Sequence, residues 1–254
     1  MQLQLIRSAT LRLRYAGRAI LIDPDLAPKH SRPPLAGLSP NPLVDLPLPI
    51  DEILAGVELV VVSHLHMDHF DRVAWERVPR DLPLICQPGN EAAIREKGFQ
   101  AVTVLDDELE WNGLRFKRTL GHHGLGEVET IMGRVMGFTL QAAGEPMVYW
   151  AGDTVWCEEV EAALQTAQPH YVITHSCGAR WPIASGAREL IVMDAAQTIG
   201  VCECAPQATV IATHMEAFDH ATISRSALRE ARQAAGLAET RLRIPQDGET
   251  LTLA

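Results

Sequence analysis

Short apolar runs that end in histidine or aspartate constrain the fold of this chain more than any other feature of its sequence. The clearest is VELVVV at 57–62, which is typical of a buried strand and is followed by SHLHMDH. MVYWAGD, PHYVITH and ATVIATH lie further along the chain and end in the same residue types. Because rigid scaffolds present chemistry at strand ends and in the loops that leave them, the pattern predicts a sheet protein with one functional edge.

Strand-like runs dominate the first part of the chain, and strands alternate with helices afterwards. LRLRYAGRAILIDP predicts two strands joined near Gly17, and RLRIPQDGETLTL predicts a C-terminal hairpin around the DG pair at 247–248. MDAAQTIGVCECA begins like a helix, with Asp194 as N-cap and Gln197 in the capping-box position. This order predicts two sheets packed face to face with helices outside, in one domain spanning 1–254.

A proline-rich stretch at 24–50 interrupts this pattern. It holds half of the sixteen prolines, which fix φ and remove backbone donors, so regular structure is not expected there. Loops this long in a compact domain usually have a function. We interpret it as a lid or a pocket wall, and the alternative is a surface loop without a function.

Composition narrows the function classes. Apolar residues make up 47% and charged residues 21%, as in an ordinary globular protein. The net charge of -10 argues against nucleic acid or an anionic membrane as partner, because phosphate binding needs clustered Lys and Arg. No apolar run reaches the ~18 residues of a membrane span. The five cysteines form no CxxC pair, and arginines interrupt the N-terminal run, so we expect a cytoplasmic protein in a reducing compartment.

Three of the ten histidines fall within six positions, together with an aspartate. The pattern is His64-x-His66-x-Asp68-His69, directly after a predicted strand. Surface or capping histidines are the alternative, but imidazole is the commonest metal ligand in proteins. Four side chains of so short a segment fit one ion poorly, so the pattern favours two ions that share the loop.

A site with two metals needs ligands from later in the chain as well. The segments that offer them, TLGHHGLGE, YWAGDT and IATHMEAFDH, each follow a strand-like run. Their candidate residues are His122, His123, Asp153, His214 and His220.

The order HxHxDH, GHHG, GD and a late histidine resembles the metallo-β-lactamase-fold hydrolase superfamily along nearly the whole chain. The opening IRSATLRLRYAGRAILIDP resembles, more loosely, the subgroup that contains ascorbate-phosphate lactonase. The resemblance implies an α/β chain folded as a four-layer αββα sandwich of two mixed β-sheets. It also implies two divalent ions, with Zn²⁺ expected first and Mn²⁺ or Fe as alternatives, at a common edge.

The resemblance assigns metal ligands by residue type. It gives His64, His66 and one histidine of GHHG to the first ion. We prefer His123, which adjoins Gly124 at the tip of the turn, and keep His122 as the alternative. The second ion receives Asp68, His69 and His214, and Asp153 bridges the two.

Further roles concern catalysis and substrate. Metal-bound water ionises near neutral pH and can attack a carbonyl or phosphorus centre. We expect Asp68 to orient that nucleophile and relay a proton, or only to ligate, and His220 to act as acid or substrate ligand. His175 and Arg180 are candidates for substrate binding, with a core histidine and a surface arginine as the alternatives. Asp23 is a candidate acceptor for a ligand histidine, with a structural carboxylate that caps the next turn as the alternative.

These assignments predict a binuclear hydrolase of a small ester, lactone or phosphoester, with a small molecule as partner. A phosphodiesterase of a small phosphorylated molecule and a non-catalytic metal-binding protein are the alternatives. A diiron redox protein is disfavoured because the flavodiiron branch has glutamate where His66 stands. A homo-oligomer is left open.

Overall fold

The computed structural model describes all 254 residues and contains two seven-stranded sheets. The first consists of β1 (Gln2–Arg7), β2 (Thr10–Tyr15), β3 (Arg18–Ile22), β4 (Leu59–Val62), β5 (Leu84–Cys86), β6 (Val102–Val104) and β16 (Thr250–Thr252). Its strands follow the order β16-β1-β2-β3-β4-β5-β6 across the sheet. The second consists of β7 (Glu108–Trp111), β8 (Leu114–Thr119), β9 (Gly137–Gln141), β10 (Val148–Trp150), β11 (Tyr171–His175), β14 (Thr209–Thr213) and β15 (Leu242–Arg243). Its strands follow the order β15-β14-β11-β10-β9-β8-β7 across the sheet.

Seven helices and a small ribbon complete the fold. The helices are α1 (Ile50–Leu54), α2 (Arg72–Arg77), α3 (Glu91–Glu96), α4 (Glu127–Met132), α5 (Glu158–Ala167), α6 (Ala195–Cys204) and α7 (Arg225–Ala234). The ribbon pairs β12 (Arg180–Pro182) with β13 (Arg188–Leu190). None of the helices combines the length and the apolar character that crossing a bilayer needs.

Three hydrophobic clusters define the layers of the molecule. The largest lies between the sheets, where Leu13 and Val61 of the first sheet and Phe138 and Trp150 of the second belong to one buried group. A second cluster joins the outer face of the second sheet to α5, α6 and α7. A third joins the outer face of the first sheet to α1, α2 and α3. The predicted αββα sandwich of two mixed sheets is thereby confirmed.

Both sheets contain parallel strands whose carboxyl ends position the site. In the first sheet, β3, β4, β5 and β6 run parallel to one another. In the second sheet, β10, β11, β14 and β15 do the same. Parallel neighbours end at the same edge of a sheet, so the loops after β4, β10, β11 and β14 can meet.

Two local predictions from the sequence are confirmed. Tyr15 pairs with Arg18 across a two-residue turn, in which Ala16 and Gly17 have φ of 50° and 75°. Positive φ at both positions is what a type I′ hairpin requires. Asp194 caps α6 by accepting a hydrogen bond from the Gln197 amide at 3.1 Å. The reciprocal half of the capping box is not formed, because the Gln197 side chain instead accepts from the Trp156 amide.

The predicted C-terminal hairpin is wrong. β15 pairs with β14 in the second sheet, whereas β16 pairs with β1 in the first. The DG pair still lies in a turn, since the Glu249 amide donates to the Gln246 carbonyl, but this turn leads from one sheet to the other. Leu251 then enters the core between the sheets, which buries more apolar surface than a solvent-exposed hairpin would.

Candidate metal centre

The predicted ligands come from four separate segments that meet at one edge of the sandwich, and His175 joins them from a fifth. His64, His66, Asp68 and His69 follow β4 at the end of a parallel strand. His123 lies in the loop after β8, Asp153 follows β10, His175 ends β11, and His214 directly follows β14.

Nitrogen and oxygen donors of these segments form two neighbouring groups. One consists of His64, His66 and His123, whose donor atoms lie within 4.8 Å of one another. The other consists of His69, Asp153, His175 and His214, with the same spacing.

Carboxylates connect and extend the two groups. Oδ2 of Asp153 lies 3.4 Å from Nε2 of His123 and 3.2 Å from Nε2 of His69, so one carboxylate oxygen borders both groups. Oδ2 of Asp68 lies 3.3 Å from Nε2 of His214 and 3.9 Å from that of His69. These positions match the bridging role suggested for Asp153 and the placement of Asp68 with the second group.

The arrangement of these donors fits bound cations. Nε2 of His64 is buried and has no hydrogen-bond partner. Nε2 of His69 and Nε2 of His214 face each other at 3.2 Å, an approach that needs a proton or a metal ion on at least one of them. Burying unpaired nitrogen atoms and carboxylates together is costly unless they bind a shared positive charge. Nitrogen and carboxylate donors suit Zn²⁺, Mn²⁺ and Fe²⁺.

Hydrogen-bond partners at the ring nitrogen that faces away from the centre fix the orientation of the histidine rings. Oδ2 of Asp23 lies 2.6 Å from Nδ1 of His69, which is the contact suggested from the sequence. The same carboxylate accepts hydrogen bonds from the amide and hydroxyl of Ser63. Nδ1 of His64 lies 3.0 Å from the Ser63 hydroxyl. Such contacts leave Nε2 free to face a metal ion.

His123 is oriented in the same way, because its Nδ1 lies 2.8 Å from the carbonyl oxygen of Ile191. Neither Ser63 nor Ile191 was singled out from the sequence. A serine before a histidine cluster and a carbonyl 68 residues away carry no local signal.

The pKa shifts follow from burial and from these carboxylates. Burial lowers the pKa of His123 and of His175 to about 4, so both are neutral at pH 7, as metal ligands must be. Burial also lowers the pKa of His69, but Asp153, Asp68 and Asp23 outweigh it and raise that pKa to about 10. The carboxylates therefore favour positive charge at the second group.

The two histidines of GHHG have different surroundings. His123 is buried and faces the centre, whereas His122 is half-buried and turns away from it. The ring of His122 lies between Glu129 and Glu159. The geometry thus favours His123 over His122 as the third donor of the first group.

Two sequence-based assignments to the substrate side need correction. His175 is fully buried behind Asp153, with its Nδ1 2.5 Å from Oδ1 of that carboxylate, so it belongs to the metal side of the centre. Arg180 lies at the start of β12, where it donates a hydrogen bond to the Arg188 carbonyl, and it does not line the cavity described next. Its neighbour Trp181 does line that cavity.

A cavity of about 470 Å³ opens beside the first group. Its polar lining residues are His66, Asp68, His123 and His220, each of which was a candidate metal or catalytic residue. The other eight are apolar, namely Leu35, Leu65, Met67, Trp75, Ile131, Met132, Trp181 and Ile191. No lysine or arginine lines it.

His220 is 6% exposed and contributes to this cavity. Its Nδ1 is buried without a hydrogen-bond partner. Burial lowers the pKa of His220, so the ring is neutral at pH 7 and has one nitrogen that can accept a proton and one that can donate.

The proline-rich stretch supplies one wall of the cavity through Leu35. Arg7, fully buried, holds both ends of the stretch: it donates to the Asp25 carboxylate at 3.0 Å and to the Val44 carbonyl at 3.1 Å. Asp219 holds its middle. We interpret the stretch as a pocket wall, as suggested from the sequence.

Comparison with known proteins identifies the family of this chain. The family model described as β-lactamase superfamily domain matches residues 18–215. UPF0173 protein YddR of Bacillus subtilis is 37% identical over 99% of this chain and 100% of its own length. A possible metal-dependent hydrolase from Veillonella parvula superposes with a TM-score of 0.95 at 36% identity, over 100% of this chain and 99% of that chain. An isothiocyanate hydrolase from Delia radicum gut bacteria superposes with a TM-score of 0.91 at 35% identity and the same coverage.

The fold and its histidine and aspartate centre define a metal-dependent hydrolase of the metallo-β-lactamase superfamily, so the resemblance found in the sequence is confirmed. Within that class, the chain belongs to the UPF0173 family of metal-dependent hydrolases. The non-catalytic alternative is thereby set aside.

Proposed function

We propose that this chain binds two divalent metal ions and hydrolyses a small, uncharged, apolar substrate at an electrophilic carbon, with an isothiocyanate as the first candidate. The observation that carries the proposal is the cavity, in which apolar side chains surround four polar residues of the centre. Apolar pockets with a few convergent polar groups are typical of small-molecule sites.

The lining separates this substrate class from phosphoesters. Apart from metal ions, phosphate recognition relies on Arg, Lys or helix N-termini, and the cavity offers neither cationic side chain. The carboxylate of Asp68 would also repel a phosphate group. Esters and lactones share the electrophilic carbon and fit the same lining, but the relative from Delia radicum gut bacteria, an isothiocyanate hydrolase, favours the isothiocyanate.

Two donor groups support two ions. His64, His66 and His123 would hold the first, and Asp68, His69 and His214 the second, with Asp153 between them. His175, through its contact with Asp153, would orient the bridging carboxylate or bind the second ion directly. When bound, such ions supply Lewis acidity, which makes water a nucleophile at neutral pH and stabilises developing negative charge.

The side chains of this chain perform the remaining tasks. Asp68 would orient the attacking water and accept its proton, because its carboxylate lines the cavity and lies beside the second donor group. His220 would donate a proton to the leaving atom, since it is neutral and lines the cavity. Leu35, Trp75 and Trp181 would hold the apolar group and exclude water.

Metal analysis together with a substrate panel tests the proposal. We expect Asp153→Ala to lose about two equivalents of Zn, Mn or Fe relative to wild type, together with all hydrolysis, since this carboxylate borders both donor groups. The panel pairs an alkyl or aryl isothiocyanate with an ester, a lactone and a phosphodiester carrying the same apolar group. Failure to bind metal even after addition of Zn²⁺ or Mn²⁺, or a preference for the phosphodiester, would refute the proposal.

A further inference from the structure

A second group of mixed donors lies outside the central site. His122, Cys157 and Glu159 are half-buried, and their donor atoms lie within 4.8 Å of one another. We propose that these three side chains bind a further divalent metal ion, with Zn²⁺ as the best match, and that this ion clips together the two loops that carry His123 and Asp153.

The spacing of the donors suits a shared ion. Nε2 of His122 lies 3.1 Å from Oε1 of Glu159. Two ligands on a tetrahedral zinc ion, each about 2.0 to 2.1 Å from the metal, are separated by about 3.3 Å. The Cys157 sulfur lies within the same group, and a nitrogen, sulfur and oxygen donor set is typical of zinc.

The other nitrogen of His122 is held as it is in known metal sites. Nδ1 forms a hydrogen bond with the Glu129 carboxylate of α4. A carboxylate behind the ring fixes its orientation and increases the basicity of the nitrogen that faces the metal. Glu129 is therefore a positioning residue, and the three ligands leave a fourth coordination position for water.

Backbone contacts hold the two loops in register before any ion binds. The His122 amide donates to the Thr154 hydroxyl at 2.9 Å, and the Val155 amide donates to the His122 carbonyl at 2.9 Å. A side chain at Gly121 would place Cβ 2.8 Å from the Thr154 hydroxyl oxygen, so only glycine permits this approach. A preorganised site loses less entropy when the ion binds.

The position of the ion has a consequence for the central site. His122 is adjacent to His123, and Cys157 follows Asp153 by four residues, so the clip would tie together donors of both central groups. The metal-free alternative is a protonated His122 between two glutamates, which needs no cysteine. Dependence on Cys157 thus separates the two.

Cobalt titration of the metal-free protein tests the site, because Co²⁺ bound to a thiolate gives a near-ultraviolet charge-transfer absorption. We expect this band in the wild type and its loss in Cys157→Ser. The control is Cys204→Ser, which should retain the band because Cys204 is a half-buried cysteine on a different helix, α6. In the zinc-loaded protein, we expect Cys157→Ser and Glu159→Gln each to contain about one equivalent less than wild type, as expected for one site with a protein thiolate ligand. Glu158→Gln, at the neighbouring position of α5, is the control for Glu159.

The central metals provide the check on folding. Because Cys157 and Glu159 are not part of the central centre, both variants should keep the metal that Asp153→Ala loses. Absence of the charge-transfer band from the wild type, or equal zinc content in Cys157→Ser and Cys204→Ser, would overturn the proposal while leaving the hydrolase function untouched.

Discussion

Replacement of Asp219 by asparagine should release the middle of the proline-rich stretch and open one wall of the cavity. Oδ1 of Asp219 accepts from the Leu35 amide at 2.9 Å, and Oδ2 accepts from the Leu38 amide at 3.0 Å. Additional donors are the amides of Ala36 and Ser39 and the side chain of Asn41. One carboxylate therefore organises the turn that carries Leu35 into the cavity.

The size of the effect follows from the hydrogen bonds that asparagine cannot make. Its amide keeps one acceptor oxygen, and its NH₂ group faces donors at the other position, so the bonds from Leu38 and Ser39 are lost. Hydrogen bonds to a charged acceptor contribute about 1.5–3 kcal/mol each. Leu38 is 79% exposed, so the freed amides can reach water. Two such bonds would contribute about 3–6 kcal/mol, and because the freed amides regain hydrogen bonds with water we expect the free energy of opening the loop to fall by less, about 2–3 kcal/mol.

Hydrogen exchange of peptides covering 33–41 measures this opening directly, with Asp45→Asn, an exposed position of the same stretch, as the matched control. A loss of 2–3 kcal/mol corresponds to roughly 30- to 160-fold faster exchange. KM should rise more than kcat falls, because Leu35 lines the proposed substrate cavity but has no group that could transfer a proton. Unchanged exchange in Asp219→Asn would show that the carboxylate does not anchor the loop.

The same contacts predict a pH dependence in the wild type. Burial opposes ionisation of Asp219, but hydrogen bonds from Asn41 and the backbone amides outweigh it and hold the pKa of this carboxyl well below its usual range. The released carboxyl has an ordinary pKa of about 3.9, so anchoring is complete above that value and weakens as the pH falls below it. Exchange of 33–41, corrected for the intrinsic pH dependence of amide exchange, should thus accelerate below about pH 4 in the wild type and less so in Asp219→Asn.

Three further substitutions probe other parts of the molecule. Asp23→Ala removes the partner of His69 and should weaken metal affinity by about 10- to 100-fold in a chelator competition, with equal affinity contradicting its role. His220→Gln should lower kcat by roughly 100-fold or more while metal content stays constant, since a proton donor is lost. Phe138→Ala, in the core between the sheets, should lower the free energy of unfolding by about 3–5 kcal/mol in urea denaturation.

The fold could be predicted where local pattern and tertiary context agree. The apolar run at 57–62 forms β4, and Asp194 caps α6, because burial and capping are both visible in a few consecutive residues. The DG pair at 247–248 led to the wrong prediction of a hairpin, because a turn pattern in the sequence does not indicate whether the strands on either side of it pair with each other. β1 and β14, which take up β16 and β15, lie far from the pair in sequence.

The metal centre could be predicted further than the substrate pocket. Four of the ligands could be recognised in the sequence because they lie within six residues of one loop, namely His64, His66, Asp68 and His69. His175 lies in no comparable cluster of the sequence, and only the structure shows that it contacts Asp153. A buried histidine at a strand end looks the same in sequence whether it supports a metal ligand or contacts a substrate.

The apolar walls of the proposed substrate cavity come from residues that no short motif contains. The walls of the cavity come from Leu35, Trp75, Ile131 and Trp181, which belong to four separate segments outside the strands that carry the central ligands. Each of these segments lies in a loop, a short helix or the small ribbon, where substitutions leave the core between the sheets untouched. A relative can therefore retain the HxHxDH centre while a new wall changes its substrate. It follows that exchanging Leu35 or Trp181 should alter KM for different apolar groups without altering metal content.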